Sequence, residues 1–171
     1  MLAGYTGERP AEVELVRSLR GKPHLARQLR LRFSLAHCDG VDLAAVCTNR
    51  AVGVDIERVD PGFPHDKVQS WLGSMPRLVP SGTTEPRQAF YTSWVATEAI
   101  CKADGGGLAS YLERGGDAAG RHRVHWLDMG SDFVAAIATE GSKPVRVHWP
   151  ESTPCIDGRV ISADQGVAQE P

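Results

Sequence analysis

Leu31-Arg32-Phe33-Ser34-Leu35-Ala36-His37-Cys38-Asp39-Gly40-Val41-Asp42-Leu43-Ala44-Ala45-Val46-Cys47-Thr48-Asn49-Arg50-Ala51-Val52-Gly53-Val54-Asp55-Ile56-Glu57 is the stretch that decides the fold class. Leu31, Phe33, Leu35 and His37 alternate with Arg32, Ser34 and Ala36, the period of a half-buried strand. Cys38-Asp39-Gly40 signals a turn, and Asp42 to Thr48 is a second apolar run. Asn49-Arg50 offers a tight turn into a third run, Ala51 to Glu57. Three short runs joined by short turns read as an antiparallel meander.

Working outward, residues 59–83 are rich in Pro, Gly and Ser, with one or two helical turns expected around Asp66 to Leu72. Thr84-Glu85-Pro86 has the makings of a helix start: a Thr cap, an acid in the first turn, and Pro where its missing N–H costs least. Nothing breaks that helix before about Ala103, and the glycines at 105–107 end it. Ala89, Tyr91, Trp94, Val95, Ile100 and Cys101 are its expected core side. Further strands are expected at His122 to Asp128, Phe133 to Thr139 and Val145 to Trp149. The tail after Pro150 is polar and weakly patterned, which predicts a loose segment.

Composition narrows the function classes. Hydrophobic residues make up 42% of the 171, enough for a core, and the formal charge of −2 gives no reason to expect nucleic acid or a membrane surface. Charge is uneven locally: Arg17, Arg20, Lys22, Arg27, Arg30 and Arg32 occur without an intervening acid. That run is either a solvated face or a patch for phosphates or an acidic partner. Met1 to Pro10 contains no apolar run, so neither a secretory signal nor a membrane anchor is expected. Cys38, Cys47, Cys101 and Cys155 are scattered without a Cys-x-x-Cys pair, which disfavours zinc and a disulfide framework and suits a reducing cytoplasm.

Asp55 and Glu57 stand two apart on the third run, so a strand points both to one face while Val52, Val54 and Ile56 take the other. Such a pair can converge on a hard divalent cation such as Mg²⁺, although a solvent-facing acidic edge has the same spacing. Trp94, Glu98 and Lys102 are four apart and line one helical stripe. Taken alone, the stripe reads first as a plain intrahelical Glu–Lys pair, and second as Glu98 for a base and Lys102 for a phosphate-binding cation. His37 ends the first strand, and Gly21-Lys22-Pro23 puts a cation on a rigid turn. Gly105-Gly106-Gly107 is a helix stop, because it follows a helix where a phosphate loop would precede one.

The order and spacing of these four pieces carry more than any of them. Gly21-Lys22-Pro23, then Phe33-Ser34-Leu35-Ala36-His37, then Val52-Gly53-Val54-Asp55-Ile56-Glu57, then Trp94-x-x-x-Glu98-x-x-x-Lys102 resembles the Sfp-type 4′-phosphopantetheinyl transferase superfamily. The resemblance extends over roughly residues 20–140, including Phe133 to Ala138 as a late strand. It implies an α+β fold of two similar lobes, antiparallel sheets packed on helices and related by a pseudo-two-fold. Residues 1–58 would form a shortened N-terminal lobe, 59–150 the C-terminal lobe with the Glu98 helix, and 151–171 a loose tail.

It also implies a function. Such a chain would move the 4′-phosphopantetheine arm of coenzyme A to a serine of an acyl or peptidyl carrier protein. Asp55, Glu57 and Glu98 would hold Mg²⁺ against the diphosphate, Glu98 would take the serine proton, and Lys102 would contact the diphosphate. His37 and Lys22 would contact phosphates of the nucleotide end, with Asp55 also on the coenzyme side. Three departures stand out. Thr97 replaces a usual Lys, Ala36 replaces a Ser and Cys38 another, and few residues precede Gly21. They suggest an alternative, a relative that binds a carrier protein or serves as an accessory subunit without transfer. The short first lobe suggests completion by a second copy, a homo-oligomer.

Overall fold

The computed structural model describes residues 1–27, 30–72, 78–114, 117–148 and 159–164. The chain opens with a short helix α1 (Leu2–Thr6), a 3₁₀ turn (Pro10–Glu12) and a two-strand ribbon of β1 (Leu15–Arg17) and β2 (Pro23–Leu25). β3 (Leu31–Cys38), β4 (Val41–Thr48) and β5 (Val52–Arg58) follow, as the alternation predicted. Then come α2 (His65–Leu72), the long α3 (Pro86–Asp104), α4 (Gly107–Glu113) and a second 3₁₀ turn (Asp117–Arg121). β6 (His122–Leu127), β7 (Phe133–Glu140), β8 (Arg146–His148) and β9 (Arg159–Asp164) complete it. This mixture of largely antiparallel sheets and helices is compatible with a phosphopantetheinyl-transferase-like α+β fold.

The expected meander holds for two strands only. β3 and β4 pair antiparallel from Leu31↔Thr48 to Cys38↔Val41, but β5 leaves that sheet and pairs antiparallel with β7, Val52 opposite Thr139 and Arg58 opposite Phe133. The physical reason is β7. Its run Val134 to Ala138 is buried throughout, so it needs a strand on each edge and cover on both faces. β5 and β6 supply the edges. The cover is α3 on one face, against Val134, Ala136 and Ala138, and the β3–β4 layer on the other, against Ala135 and Ile137.

β5 is therefore sandwiched. Val52, Val54 and Ile56 meet Ala36, Leu43, Ala45 and Cys47 of the β3–β4 layer. Gly53, Asp55 and Glu57 are left facing α3, and Gly53 lies so close that a Cβ there would overlap the Ala99 carbonyl and approach the Ala103 nitrogen to 2.5 Å. The edges of β3 and β5 are joined by side chains in place of a ladder. Val54 N donates to Ser34 Oγ at 3.1 Å, and Arg58 N donates to Cys38 Sγ at 3.3 Å.

α3 starts one residue later than its expected cap: Glu85, not Thr84, is the N-cap, its carboxylate accepting from the Arg87 and Gln88 amides. A carboxylate there satisfies two orphan donors and complements the helix dipole. Gly105, at φ 72°, ends the helix by donating its amide to the Cys101 carbonyl. Within the tail expected to be loose, Arg159–Asp164 forms β9, parallel to β4 and antiparallel to β8, covering an edge of β4 that would otherwise be open. The rest of that tail, with Cys155, and Trp149 at the end of the expected last strand lie outside the described residues.

Candidate active site

The sandwich of β5 between two layers places the charged residues. Lys102, in the last turn of α3, reaches down to β5 and donates to Asp55 Oδ1 at 2.7 Å. It also lies 3.5 Å from the Leu35 carbonyl of β3, so one ammonium ties three elements together. Asp55 is buried and its second oxygen, Oδ2, has no hydrogen-bond partner among the described residues. Burial consequently pushes the Asp55 carboxyl above its ordinary range in spite of the opposing Lys102 charge. One oxygen is paired, and the bare one keeps the charged form unfavourable.

Glu57 and Glu98 complete a strongly coupled group. Burial raises the Glu57 carboxyl, with the Asp55 charge adding to it, while hydrogen bonds from Trp94 and Cys38 pull the other way. Glu98 is raised by burial first and by Asp55 next, again opposed by Lys102, with a further push from Glu57. Burial disfavours ionisation of all three, and like charge adds to it at Glu57 and Glu98. Among the described residues, no three His, Cys, Asp or Glu side chains stand as a formed metal cage. The donor set nonetheless suits a hard divalent cation: three coupled carboxylates, all oxygen, one buried oxygen without a partner.

Two hollows open on either side of this group. The smaller, about 290 Å³, is lined by Arg20, Lys22, Leu35, Glu98 and Lys102, with Gly105 and Gly107 at the end of α3. The larger, about 840 Å³, is reached past Glu57 and Trp94. The helical stripe Trp94, Glu98, Lys102 thus runs from one hollow to the other, about 12 Å at the helical rise.

The structure brings four of the sequence-predicted residues together, Asp55, Glu57, Glu98 and Lys102, and places the other two differently. Lys22 lines the smaller hollow, but its ammonium is already engaged: it donates to the carbonyls of Val52 and Ala103, each at 3.1 Å, and to that of Lys102. These acceptors are the start of β5 and the C-terminal end of α3, where a cation complements the helix dipole. Burial, helped by Arg32, lowers its pKa to about 8, with Asp104 pulling upward. His37 is exposed, at the far end of β3 and on the same face as Leu35.

Sequence reasoning missed three participants. Trp94, which the sequence marks only as a member of the stripe, is a hydrogen-bond partner of Glu57. Cys38 lies with Sγ 3.9 Å from Glu57 Oε2. Arg20 lines the smaller hollow and donates to the Gly106 carbonyl at 2.8 Å. Its position two residues before Lys22, inside the basic run, was the available signal. Two departures from the family pattern prove to be elsewhere: Thr97 is fully buried with its hydroxyl on the Ser93 carbonyl at 2.8 Å, and Ala36 packs in the core under β5. Neither side chain faces the carboxylates.

No family model matches the chain. The 4′-phosphopantetheinyl transferase HetI of Nostoc sp. (strain PCC 7120) is 32% identical to it over 119 residues, 66% of this chain and 50% of that protein. The chain is thus similar to a 4′-phosphopantetheinyl transferase. It spans about half the length of the curated relative it matches. The chain keeps Asp55, Glu57, Glu98 and Lys102 around one recess, where residues from two elements far apart in sequence converge.

Proposed function

We propose that this chain transfers the 4′-phosphopantetheine arm of coenzyme A to a serine of an acyl or peptidyl carrier protein, with Mg²⁺. The observation that carries the reading is the convergence of Asp55 and Glu57 from β5 with Glu98 and Lys102 from α3, between a cationic hollow and an aromatic one. Phosphoryl transfer asks mostly for positioning and counter-charge, and that is what this set of residues offers.

In this reading the diphosphate lies in the smaller hollow, where Arg20, Lys22 and Lys102 outnumber Glu98. Asp55, Glu57 and Glu98 would hold Mg²⁺, which when bound supplies counter-charge to the diphosphate. Lys102 contacts the same phosphates, giving up part of its hold on Asp55. His37 and Lys22 serve the nucleotide end, Lys22 chiefly through the field of an ammonium fixed at the end of α3. The serine hydroxyl attacks the β-phosphorus, a new O–P bond forms, and the anhydride bond to adenosine 3′,5′-bisphosphate breaks. Glu98 takes the serine proton.

The two-lobe arrangement with its boundary near residue 58, assembly with a second copy and a cytoplasmic location belong to this proposal as well. No helix among the described residues is long and apolar enough to cross a membrane. The binder without transfer drew its support partly from Thr97 and Ala36, and both face the core, which weakens it. The test is intact-mass spectrometry of an apo carrier protein incubated with the chain, coenzyme A and Mg²⁺, beside a Glu98→Gln control. A gain of one phosphopantetheine arm that vanishes in the control supports the transferase. No gain across several carriers, with the protein folded, overturns it.

A further inference from the structure

The last turn of α3 leaves carbonyls without partners in the helix, as every helix end does, and this end packs closely on β5. Gly105 N serves the Cys101 carbonyl, while those of Lys102 and Ala103 are both taken by the Lys22 side chain. The same ammonium takes the carbonyl of Val52, the residue before Gly53, where strand and helix touch. An ammonium has three N–H donors and no acceptor, and here three carbonyls receive them. With its pKa at about 8 the group is charged at neutral pH, so all three donors are present and all three are spent.

The turn that delivers Lys22 is itself closed. Ser18 N donates to the Lys22 carbonyl at 2.9 Å, Lys22 N donates to Ser18 Oγ at 3.1 Å, and Arg17 Nη1 donates to the Gly21 carbonyl at 2.9 Å. The other cations of the smaller hollow are less committed. Arg20 spends one of its five N–H donors among the described residues, on the Gly106 carbonyl. Lys102 is held by Asp55 at 2.7 Å and more distantly by the Leu35 carbonyl. A phosphate that bound Lys22 directly would strip a carbonyl at a packed helix end or strand start, whereas one that bound Arg20 would strip none.

We infer that Lys22 is a positioning residue of the phosphate hollow and not one of its ligands: by closing the end of α3 onto β5 it fixes the turn from which Lys102 reaches Asp55 and the diphosphate. The inference rests on the transfer reading above for the identity of the ligand, and it gives Lys22 an effect through Lys102 in place of contact with the nucleotide end.

The test compares the full chain with Lys22→Met, Lys22→Arg, Lys102→Met and the double Met variant, each confirmed folded by circular dichroism, in calorimetric titrations with coenzyme A and 3′-dephospho-coenzyme A. Lys22→Met is expected to weaken both ligands alike, by about tenfold. Lys22→Arg should be no better, because a planar guanidinium does not fit three carbonyls arranged around an ammonium. With Lys102 already replaced, Lys22→Met should cost about twofold or less, since it acts through that residue. A loss confined to coenzyme A, or restored by arginine, makes Lys22 a phosphate ligand and overturns the inference; unchanged affinity in folded Lys22→Met leaves it a purely structural residue and overturns it as well. The wild type gives a readout independent of any variant's folding: on adding coenzyme A the ¹⁵Nζ signal of Lys102 should move and that of Lys22 stay, and the reverse pattern refutes the assignment. Carbonyl ¹³C signals of Val52, Lys102 and Ala103 in ligand-free Lys22→Met separate the two readings. Shifted signals in a chain that binds no coenzyme A remove the transfer reading and keep the tether, whereas unshifted signals overturn the tether whatever binds.

Discussion

Gly53 lies with its α-carbon against the carbonyl of Ala99, so β5 and α3 touch backbone to backbone where the carboxylates converge. No side chain fits between them, and the near neighbours Ala99 and Ala103 are themselves small and buried. Gly53→Ala must push strand and helix apart, because the obstructing atoms are backbone. The expected cost is about 1–3 kcal/mol by urea unfolding. Weakening of coenzyme A binding beyond that of an equally destabilising core variant is also expected, since Asp55 and Lys102 ride on the separated elements. An unchanged unfolding midpoint would refute the close contact.

Lys102 and Asp55 form the ion pair that spans this contact, and their unequal burial predicts unequal mutants. Asp55 is nearly covered while the Lys102 side chain is a third exposed, at 33%. Lys102→Met leaves a buried carboxylate without its counter-charge and should cost about 2 kcal/mol, reduced from a fully buried pair by solvent at the lysine. Asp55→Asn should cost less, because the freed ammonium reaches water. Combining the two should restore part of the loss, a non-additivity measurable in a double-mutant cycle. Strict additivity would show that the pair contributes nothing in solution.

Much of this site was legible because it depends on short-range periodicity. Asp55 and Glu57 share a face through the period of a strand, and Trp94, Glu98 and Lys102 share a stripe through that of a helix. The same rules, pressed further, would have turned Thr97 and Ala36 away from the site: each is the immediate neighbour of a site residue and so points elsewhere. The sheet to which β5 belongs was not legible, since its partner β7 is about eighty residues on in the chain and the nearer strand β4 was the local choice. β1 and β2, three residues each, carry no period long enough to read. The turn that carries Lys22 is visible in sequence, whereas the carbonyls that receive its ammonium are set by tertiary packing.

The three raised carboxyls make stability depend on pH in a stated direction. A carboxyl whose folded pKa exceeds its unfolded value binds its proton more readily in the folded chain. Its contribution is present below the unfolded pKa, 3.8 for Asp and 4.5 for Glu, and is lost as pH rises through the folded value. Without divalent ions, the wild type should therefore lose stability relative to Glu98→Gln as pH rises from about 4 into the neutral range. At neutral pH the variant should be the more stable by on the order of 1 kcal/mol. Mg²⁺ should narrow or reverse that difference. Parallel thermal melts of both proteins across pH, with and without Mg²⁺, read it directly, and a difference that does not vary with pH would rule out coupling at Glu98.

Thr97 offers a discriminating substitution, because sequence comparison and structure recommend opposite outcomes. Placing the family's lysine there looks, in sequence, like adding a cation beside the carboxylates. In the structure Thr97 is fully buried, its hydroxyl closed onto the Ser93 carbonyl one turn earlier in α3. A lysine at that position must either bury an ammonium without a counter-charge or distort the helix to bring it to the surface. Thr97→Lys should accordingly destabilise the chain by several kcal/mol and give no gain in coenzyme A affinity. Thr97→Val, which loses one hydrogen bond and keeps the shape, should cost about 1 kcal/mol and leave coenzyme A binding as it was. Unfolding midpoints and calorimetric affinities of both variants decide the matter: tighter coenzyme A binding in a stable Thr97→Lys protein would mean that this face of α3 turns toward the carboxylates after all.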